Sequence, residues 1–141
     1  MVPTGVDREK VMLQLERLEG YLNELRSIKE KLKKSEEDII LLHAGERLLH
    51  IATEECLNIG SHLIAGLGLN RADTYREVFT RLKDESILPE KLGEIMEGFA
   101  SFRNRLVHLY HEVSKEEVVA KLGETDCFEK FAQQIVNYLK G

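Results

Sequence analysis

The segment from residue 103 to residue 110 holds the side chains with the clearest capacity for chemistry. It contains a permanent cation at Arg103, an amide at Asn104, an imidazole at His108 and a phenol at Tyr110. An imidazole titrates near neutral pH, and a guanidinium stays charged at any pH that a protein meets. The segment therefore combines a group that can move protons with one that can stabilise negative charge.

A helical wheel gives these residues a geometry. Arg103 lies in the middle of an apolar stripe, where a guanidinium is costly unless it is paired or lines a cleft. Asn104 and His108 are four residues apart and share one flank of that stripe. The alternative is purely structural: Arg103 extends to solvent, His108 is a hydrogen-bonded structural histidine, and Tyr110 fills the core. The residues within about 60° of Arg103 on an ideal α-helix are Leu92, Met96, Phe99, Leu106 and Tyr110.

A second polar line runs along an earlier segment at four-residue spacing, through His50, Glu54, Asn58 and His62. Two histidines and a carboxylate are acceptable zinc ligands, but the spacing differs from that of the HExxH motif. A buried hydrogen-bonding ridge, in which Glu54 offsets the charge of Arg103, is favoured over a metal site. Whether that pairing lies within one chain or across a dimer stays open. The sequence has no Gly-rich phosphate loop, GxSxG or CxxC motif.

The apolar periodicity predicts that helices position both groups of residues. Capping signals and the two prolines suggest where these helices begin. The result is an all-α, up-and-down bundle of four to five helices, in one domain spanning residues 1–141. The first two helices are long enough to expose apolar surface beyond one small core, which favours a homodimer. The predicted helices run from about Asp7 to Lys34, from a Ser35/Asp38 start signal to Ile64, from Ala72 to Lys83, from Pro89 to Tyr110, and from a Ser114/Glu117 capping box, with an interruption near Gly123, to Leu139.

Composition narrows the function classes. The chain has 141 residues, of which 43% are hydrophobic and 32% charged, and its net charge is −5. A chain with this net charge is not expected to have the extended basic surface that binds long duplex DNA, although it can have a small local basic site. Cys56 and Cys127 are expected to be buried, reduced thiols. No apolar run has the length of a signal peptide or a membrane span, so the expectation is a cytoplasmic protein without a membrane partner.

The stretch 102–110 resembles the RX4HXY signature of HEPN proteins, in the subfamily of HepT-like toxins. Arg103, His108 and Tyr110 stand at the three fixed positions, and Asn104 follows the arginine. The resemblance extends from about Leu41 onward and implies the HEPN fold. It includes Glu46-Arg47, the ridge from His50 to His62, the segment 74–79 and the turn 87–89.

The resemblance implies a metal-independent endoribonuclease that acts as a homodimer, with two motif helices facing each other across a shared cleft. Arg103 would then hold the scissile phosphate, His108 would act as general acid or base, and Asn104 would orient the phosphate or the histidine. Glu54 would support Arg103. Because RNA carries its own nucleophile in the 2′-hydroxyl, proton transfer and charge stabilisation suffice, and no cofactor is implied.

The resemblance gives Tyr110 a separate role. In toxin–antitoxin modules of type II or type VII, a cognate MNT nucleotidyltransferase modifies this tyrosine with AMP. Phosphates added beside Arg103 and His108 would compete with the phosphate of RNA. The alternative is a non-catalytic HEPN protein that binds substrate or nucleotide for a partner nucleotidyltransferase, since the fold alone does not decide. A purely structural helical dimer is disfavoured by the intact motif.

Overall fold

The computed structural model describes residues 5–141, and within that range it contains six α-helices, a short 3-10 helix at Tyr110–Glu112 and no strand. The all-α class is confirmed, and the interrupted last helical region corresponds to α5 and α6. Residues 1–4 of the predicted domain lie outside the described range. The helices are α1 (Arg8–Lys34), α2 (Ile39–Gly66), α3 (Tyr75–Asp84), α4 (Glu90–His108), α5 (Lys115–Leu122) and α6 (Asp126–Lys140).

Capping side chains fix most of the helix starts. Asp7 caps α1 and Asp38 caps α2, each by accepting hydrogen bonds from main-chain N–H groups of the first turn. Ser35, which the sequence suggested as the start of the second helix, instead follows the last residue of α1. Ser114 and Glu117 form the predicted capping box at the start of α5.

The central element is α2, which packs against α1, α3, α4, α5 and α6. The apolar faces of these helices meet in one core. There Phe79 and Phe131 are in edge-to-face contact with ring centroids 5.9 Å apart, and Phe99 and Phe128 are in tilted contact at 4.9 Å. The helix α1 faces this core with Val11, Leu15, Leu18, Leu22 and Leu25, whereas Leu13 is exposed. Within residues 5–141, no helix combines the length and the apolar character that crossing a bilayer requires.

Both cysteines lie in this core as free thiols, as the sequence predicts. Burial raises the pKa of Cys56 well above the ordinary value and raises that of Cys127 to about 12. A thiol needs its thiolate form to attack or to bind metal. Cys56 and Cys127 are therefore core side chains rather than nucleophiles.

A buried carboxylate fixes α3 on α4. Glu97 of α4 is 5% exposed and accepts hydrogen bonds from the Thr80 hydroxyl and from Nζ of Lys83, the latter at 3.2 Å. Burial raises the pKa of Glu97, but these two hydrogen bonds together with the charges of Lys83 and Arg76 lower it by more, so the carboxylate stays ionised. Nearby, Nη1 of Arg76 donates to Oγ of Ser101 at 3.0 Å. These contacts hold α3 along its length beside the middle of α4.

The close packing of α2 on α3 predicts a clear effect of one added methyl group. A Cβ atom at Gly60 would lie 2.6 Å from Cγ1 of Val78 and 3.2 Å from Cδ1 of Leu82. We expect Gly60→Ala to lower the free energy of unfolding by about 1–3 kcal/mol, because the core must shift to admit the methyl group. Denaturant unfolding followed by circular dichroism at matched protein concentration measures this change.

The matched control is Gly20→Ala on the exposed face of α1, where a Cβ atom would meet nothing within 4 Å. There the substitution should raise the free energy of unfolding by up to about 1 kcal/mol, since alanine favours a helix interior. Equal effects of the two substitutions would contradict the tight contact between α2 and α3.

Candidate active site

Side chains from three helices hold the guanidinium of Arg103. Its Nε and Nη2 donate to Oε1 of Glu54 on α2 at 3.1 and 2.7 Å, and its Nη1 donates to Oδ1 of Asn104 at 3.2 Å. The ring centroid of Tyr75 on α3 lies 4.5 Å from its Cζ. Among the residues described, three of the five N–H bonds of the guanidinium are thus used, and one N–H on each Nη atom remains for a ligand.

The carboxylate of Glu54 links Arg103 to His50. Its Oε1 lies 2.7 Å from Nε2 of His50 as well as from Nη2 of Arg103. Burial raises the pKa of Glu54, but the hydrogen bonds and the electrostatic attraction of Arg103 and His50 together lower it by more, which keeps the carboxylate charged. The predicted pairing of Glu54 with Arg103 is therefore present within one chain. The alternative in which Arg103 extends to solvent is wrong, because its side chain is only 12% exposed.

The predicted four-residue ridge on α2 is present only in its first half. His50 and Glu54 are hydrogen-bonded, although Glu54 is 40% exposed rather than buried. Asn58 is exposed, and Nε2 of His62 instead accepts the main-chain N–H of Asp7 at 2.9 Å. Across residues 5–141, no three His, Cys, Asp or Glu side chains come together as a set that could hold a metal ion.

Asn104 and His108 both line a cavity of about 890 Å³, as their four-residue spacing on one flank suggests. The cavity lies between the C-terminal part of α2, the start of α3 and the end of α4. His108 is the last residue of α4 and is exposed, while Asn104 is half-buried and accepts a hydrogen bond from Arg103. An accessible imidazole therefore faces the same space as the amide that contacts the guanidinium.

Tyr110 lines a different cavity, and its predicted place in the apolar stripe of the helix is wrong. The helix α4 ends at His108, and Tyr110 begins the 3-10 helix, where it is 48% exposed. Its hydroxyl donates to Oε2 of Glu46 at 2.8 Å, and this hydrogen bond, with burial, raises the pKa of Tyr110. The phenol therefore stays protonated. A second cavity of about 290 Å³ is lined by Tyr110 together with His43, Glu46, Arg47, His50 and Leu106.

Arg105, which no local sequence pattern marks, connects the end of α4 to α5. Its guanidinium binds both carboxylate oxygens of Glu117, and its Nη2 also donates to the main-chain oxygen of Glu112 at 3.3 Å. Glu117 belongs to the capping box of α5, so this contact holds the start of α5 beside the last turn of α4, where the chain leaves the helix after His108. A wheel that continues the helix to Tyr110 contains no information about this tertiary contact.

Tyr75 and Glu46 are two further residues in contact with the motif that local patterns did not reveal. Tyr75 shares the helical stripe of Val78 and Phe79, which are buried, so periodicity alone would place it in the core. It is 46% exposed, because it begins α3 at the edge of the bundle. The sequence resemblance covers Glu46 but gives no hint that its carboxylate accepts the hydroxyl of Tyr110.

Comparisons with known proteins agree with this architecture. Residues 14–135 match the sequence model of the family described as Ribonuclease HepT-like. The chain is 26% identical over 142 residues to the tRNA nuclease HepT of Aphanizomenon flos-aquae, a similarity that covers 96% of this chain and 94% of that protein. Because the family match spans most of the sequence, this chain belongs to the Ribonuclease HepT-like family.

Two solved structures share the fold. One is the tri-AMPylated HEPN toxin of Shewanella oneidensis in complex with an MNT antitoxin, with a TM-score of 0.83, 20% identity, and coverage of 90% of this chain and 96% of that one. The other is YutE, a cytosolic protein of unknown function from Bacillus subtilis, with a TM-score of 0.82, 24% identity, and coverage of 96% and 92%. The predicted HEPN fold is confirmed.

The pairing of Glu54 with Arg103 predicts a pH-dependent contribution to stability. Glu54→Gln should lower the free energy of unfolding near neutral pH by about 1–2 kcal/mol, at the lower end for bonds to charged groups because Glu54 is partly exposed. Its pKa is lower folded than unfolded, so the contribution is complete above the ordinary value of 4.5 and is lost as the pH falls through the folded-state value. Urea unfolding at neutral and at acidic pH measures the difference.

Glu129→Gln is the matched control, since Glu129 pairs with Arg26 where both side chains are about half exposed. That substitution should change the free energy of unfolding by less than about 0.5 kcal/mol at either pH. A Glu54→Gln protein as stable as wild type at neutral pH would refute the view that Arg103 depends on this carboxylate.

Proposed function

We propose that this member of the Ribonuclease HepT-like family is a metal-independent endoribonuclease, the toxin of a toxin–antitoxin module. The observation that carries the proposal is the arrangement of Arg103, Asn104 and His108: a guanidinium with two N–H bonds to spare, linked through an amide to the cavity that an exposed imidazole faces. The family match and the similarity to a tRNA nuclease support RNA as the substrate class.

The chemistry follows from what RNA itself supplies. The 2′-hydroxyl attacks the adjacent phosphorus, a new O–P bond forms, and the bond from phosphorus to the 5′-oxygen of the next nucleotide breaks. His108 removes the 2′-proton or donates one to the leaving oxygen, which is general acid–base catalysis. The unused N–H bonds of Arg103 stabilise the charge that develops on the phosphate. Asn104 holds the guanidinium in the orientation this requires.

A homodimer would complete this site. One imidazole cannot accept one proton and donate another in the same step, whereas two copies of the motif supply two histidines. The surface around His108 suits a symmetric contact, because Val107, Leu109 and Tyr110 expose apolar side chains there. We therefore place the cleft at the interface of two copies.

Tyr110 is proposed as the acceptor of AMP from a cognate MNT nucleotidyltransferase. The structurally similar HEPN toxin is tri-AMPylated and in complex with an MNT antitoxin. When the phenol oxygen attacks the α-phosphorus of ATP, pyrophosphate leaves, and Glu46 lies where it can accept the phenol proton. The attached phosphate would lie in the cavity that Arg47 and His50 line. His50 contacts Glu54, so the modification can act on the support of Arg103.

The nuclease proposal predicts that the purified chain cleaves tRNA in the presence of EDTA. Arg103→Ala and His108→Ala should each lower the rate constant of cleavage by about 100-fold or more, with circular dichroism spectra unchanged. Arg8→Ala, at an exposed position outside the site, is the control and should cleave like wild type. Intact RNA together with a stable nucleotidyltransferase complex would instead support the non-catalytic alternative and overturn this proposal.

The modification proposal predicts that the chain gains adenylyl mass when it is incubated with its cognate nucleotidyltransferase and ATP. Tyr110→Phe should gain none, because the acceptor oxygen is gone. Tyr75→Phe, which alters the other markedly exposed tyrosine, should be modified like wild type. Intact-protein mass spectrometry measures both results, and an adenylyl group on Tyr110→Phe would show that the acceptor lies elsewhere.

A further inference from the structure

The cavity beside His108 is larger than the motif residues need. Its volume of about 890 Å³ lies in the range of pockets that hold small molecules, and Asn104 and His108 occupy only one part of its lining. The rest comes from the end of α2, the connection to α3 and the first turn of α3, with Arg71 and Tyr75 as the large polar and aromatic side chains. The cavity therefore contains space beside Asn104 and His108 that the cleavage chemistry alone does not require.

Tyr75 supplies an aromatic ring at the edge of this space. Its ring lies against the guanidinium of Arg103, with 4.5 Å between Cζ and the ring centroid, which restrains the ring through a cation–π contact. Among the described residues that line the cavity, Tyr75 appears and Arg103 does not. Although the guanidinium covers part of the ring, Tyr75 is 46% exposed, which leaves aromatic surface for a ligand.

The connection between α2 and α3 is held in place although it lacks regular structure. Nε of Arg81 donates to the main-chain oxygen of Asn70 at 3.3 Å, and the main-chain N–H of Asp73 donates to Oε2 of Glu77 at 2.7 Å. Arg71, which lies between these two anchors, is exposed and lines the cavity. Arg71 therefore adds a cation to the lining, in addition to the motif residues Asn104 and His108. Among the described residues of the lining, Asp73 is the acidic one.

We infer that this cavity is a nucleotide subsite: it holds the nucleotide next to the cleaved phosphate, with the base stacked on Tyr75 and the neighbouring phosphate at Arg71. The inference rests on the proposed function and names how the substrate is held. Stacking on an exposed aromatic ring needs an unpaired base, so the occupant is single-stranded RNA rather than a duplex. Because a ring face accepts any base, the subsite gives affinity with little sequence preference.

The subsite can be tested by measuring how tightly protein variants bind RNA variants that cannot be cleaved. The probes are short fluorescent oligoribonucleotides carrying 2′-O-methyl groups, which remove the nucleophile, either intact or with one abasic position. Against wild type, an abasic residue at one position should weaken binding about 5- to 20-fold. Tyr75→Leu should weaken binding of the intact probe by a similar factor and leave binding of the abasic probe unchanged. Tyr75→Phe should bind like wild type.

The abasic probe separates stacking from an indirect effect. If Tyr75 only positions Arg103, Tyr75→Leu will weaken binding of intact and abasic probes equally, and the subsite is refuted. Arg71→Ala should lower the slope of log affinity against log salt by about one, since one phosphate contact is lost, whereas Arg8→Ala on α1 should not change it. An unchanged slope for Arg71→Ala refutes the phosphate contact.

The subsite and the proposed function fail in distinguishable ways. If the chain cleaves RNA but an abasic residue weakens binding at no position, the nuclease function is supported and the subsite is refuted. If unmodified RNA stays intact but the effects of Tyr75→Leu and of one abasic position are coupled, the cavity is an RNA-binding subsite and the nuclease function is refuted.

Discussion

A guanidinium in the core-facing stripe of α4 is stable only if a carboxylate meets it, and that requirement links the main parts of the site. Glu54 satisfies it from α2, the helix that packs against every other one. The same carboxylate oxygen contacts His50, so one ionised group fixes two side chains. Because Arg103 then has few rotamers left, its two unused N–H bonds point in a defined direction, which electrostatic catalysis requires. Tyr75 lies against it from the start of α3, a helix that Glu97 helps to anchor on α4.

The sequence was sufficient wherever the information was local or periodic. Capping residues such as Asp7 and Ser114 marked helix starts, and the polar break in the stripe of α4 singled out Arg103 and its need for Glu54. The sequence did not reveal the position of Tyr110, because α4 ends two residues earlier, where Arg105 contacts Glu117 on another helix. It also gave no role to Tyr75, whose stripe position resembles that of a core residue. Both failures concern contacts between elements, which no helical period encodes.

The corrected position of Tyr110 changes how its modification would work. A phenol in the stripe of α4 would place AMP directly on the groups that hold RNA. In the structure, Tyr110 lines a separate cavity, and the connection to Arg103 passes through His50 and Glu54. An anion attached there would meet Arg47 and His50 first and compete with Glu54 for the imidazole. Together with blocking a contact between two copies, that route would inactivate the site without occupying the cavity beside His108.

If the chain binds RNA as proposed, its net charge limits the kind of binding that the site can use. A net charge of −5 repels a polyanion from most of the surface, so counterion release over many phosphates cannot supply the affinity. Attraction is then limited to a few cations at the site, such as Arg103 and Arg71. Base stacking is less sensitive to salt and does not need a positive surface, so stacking on Tyr75 can contribute binding affinity that the few cations do not supply. Since only an unpaired base can stack in this way, the acidic surface and the exposed ring both favour single-stranded segments of a folded RNA over its helical stems.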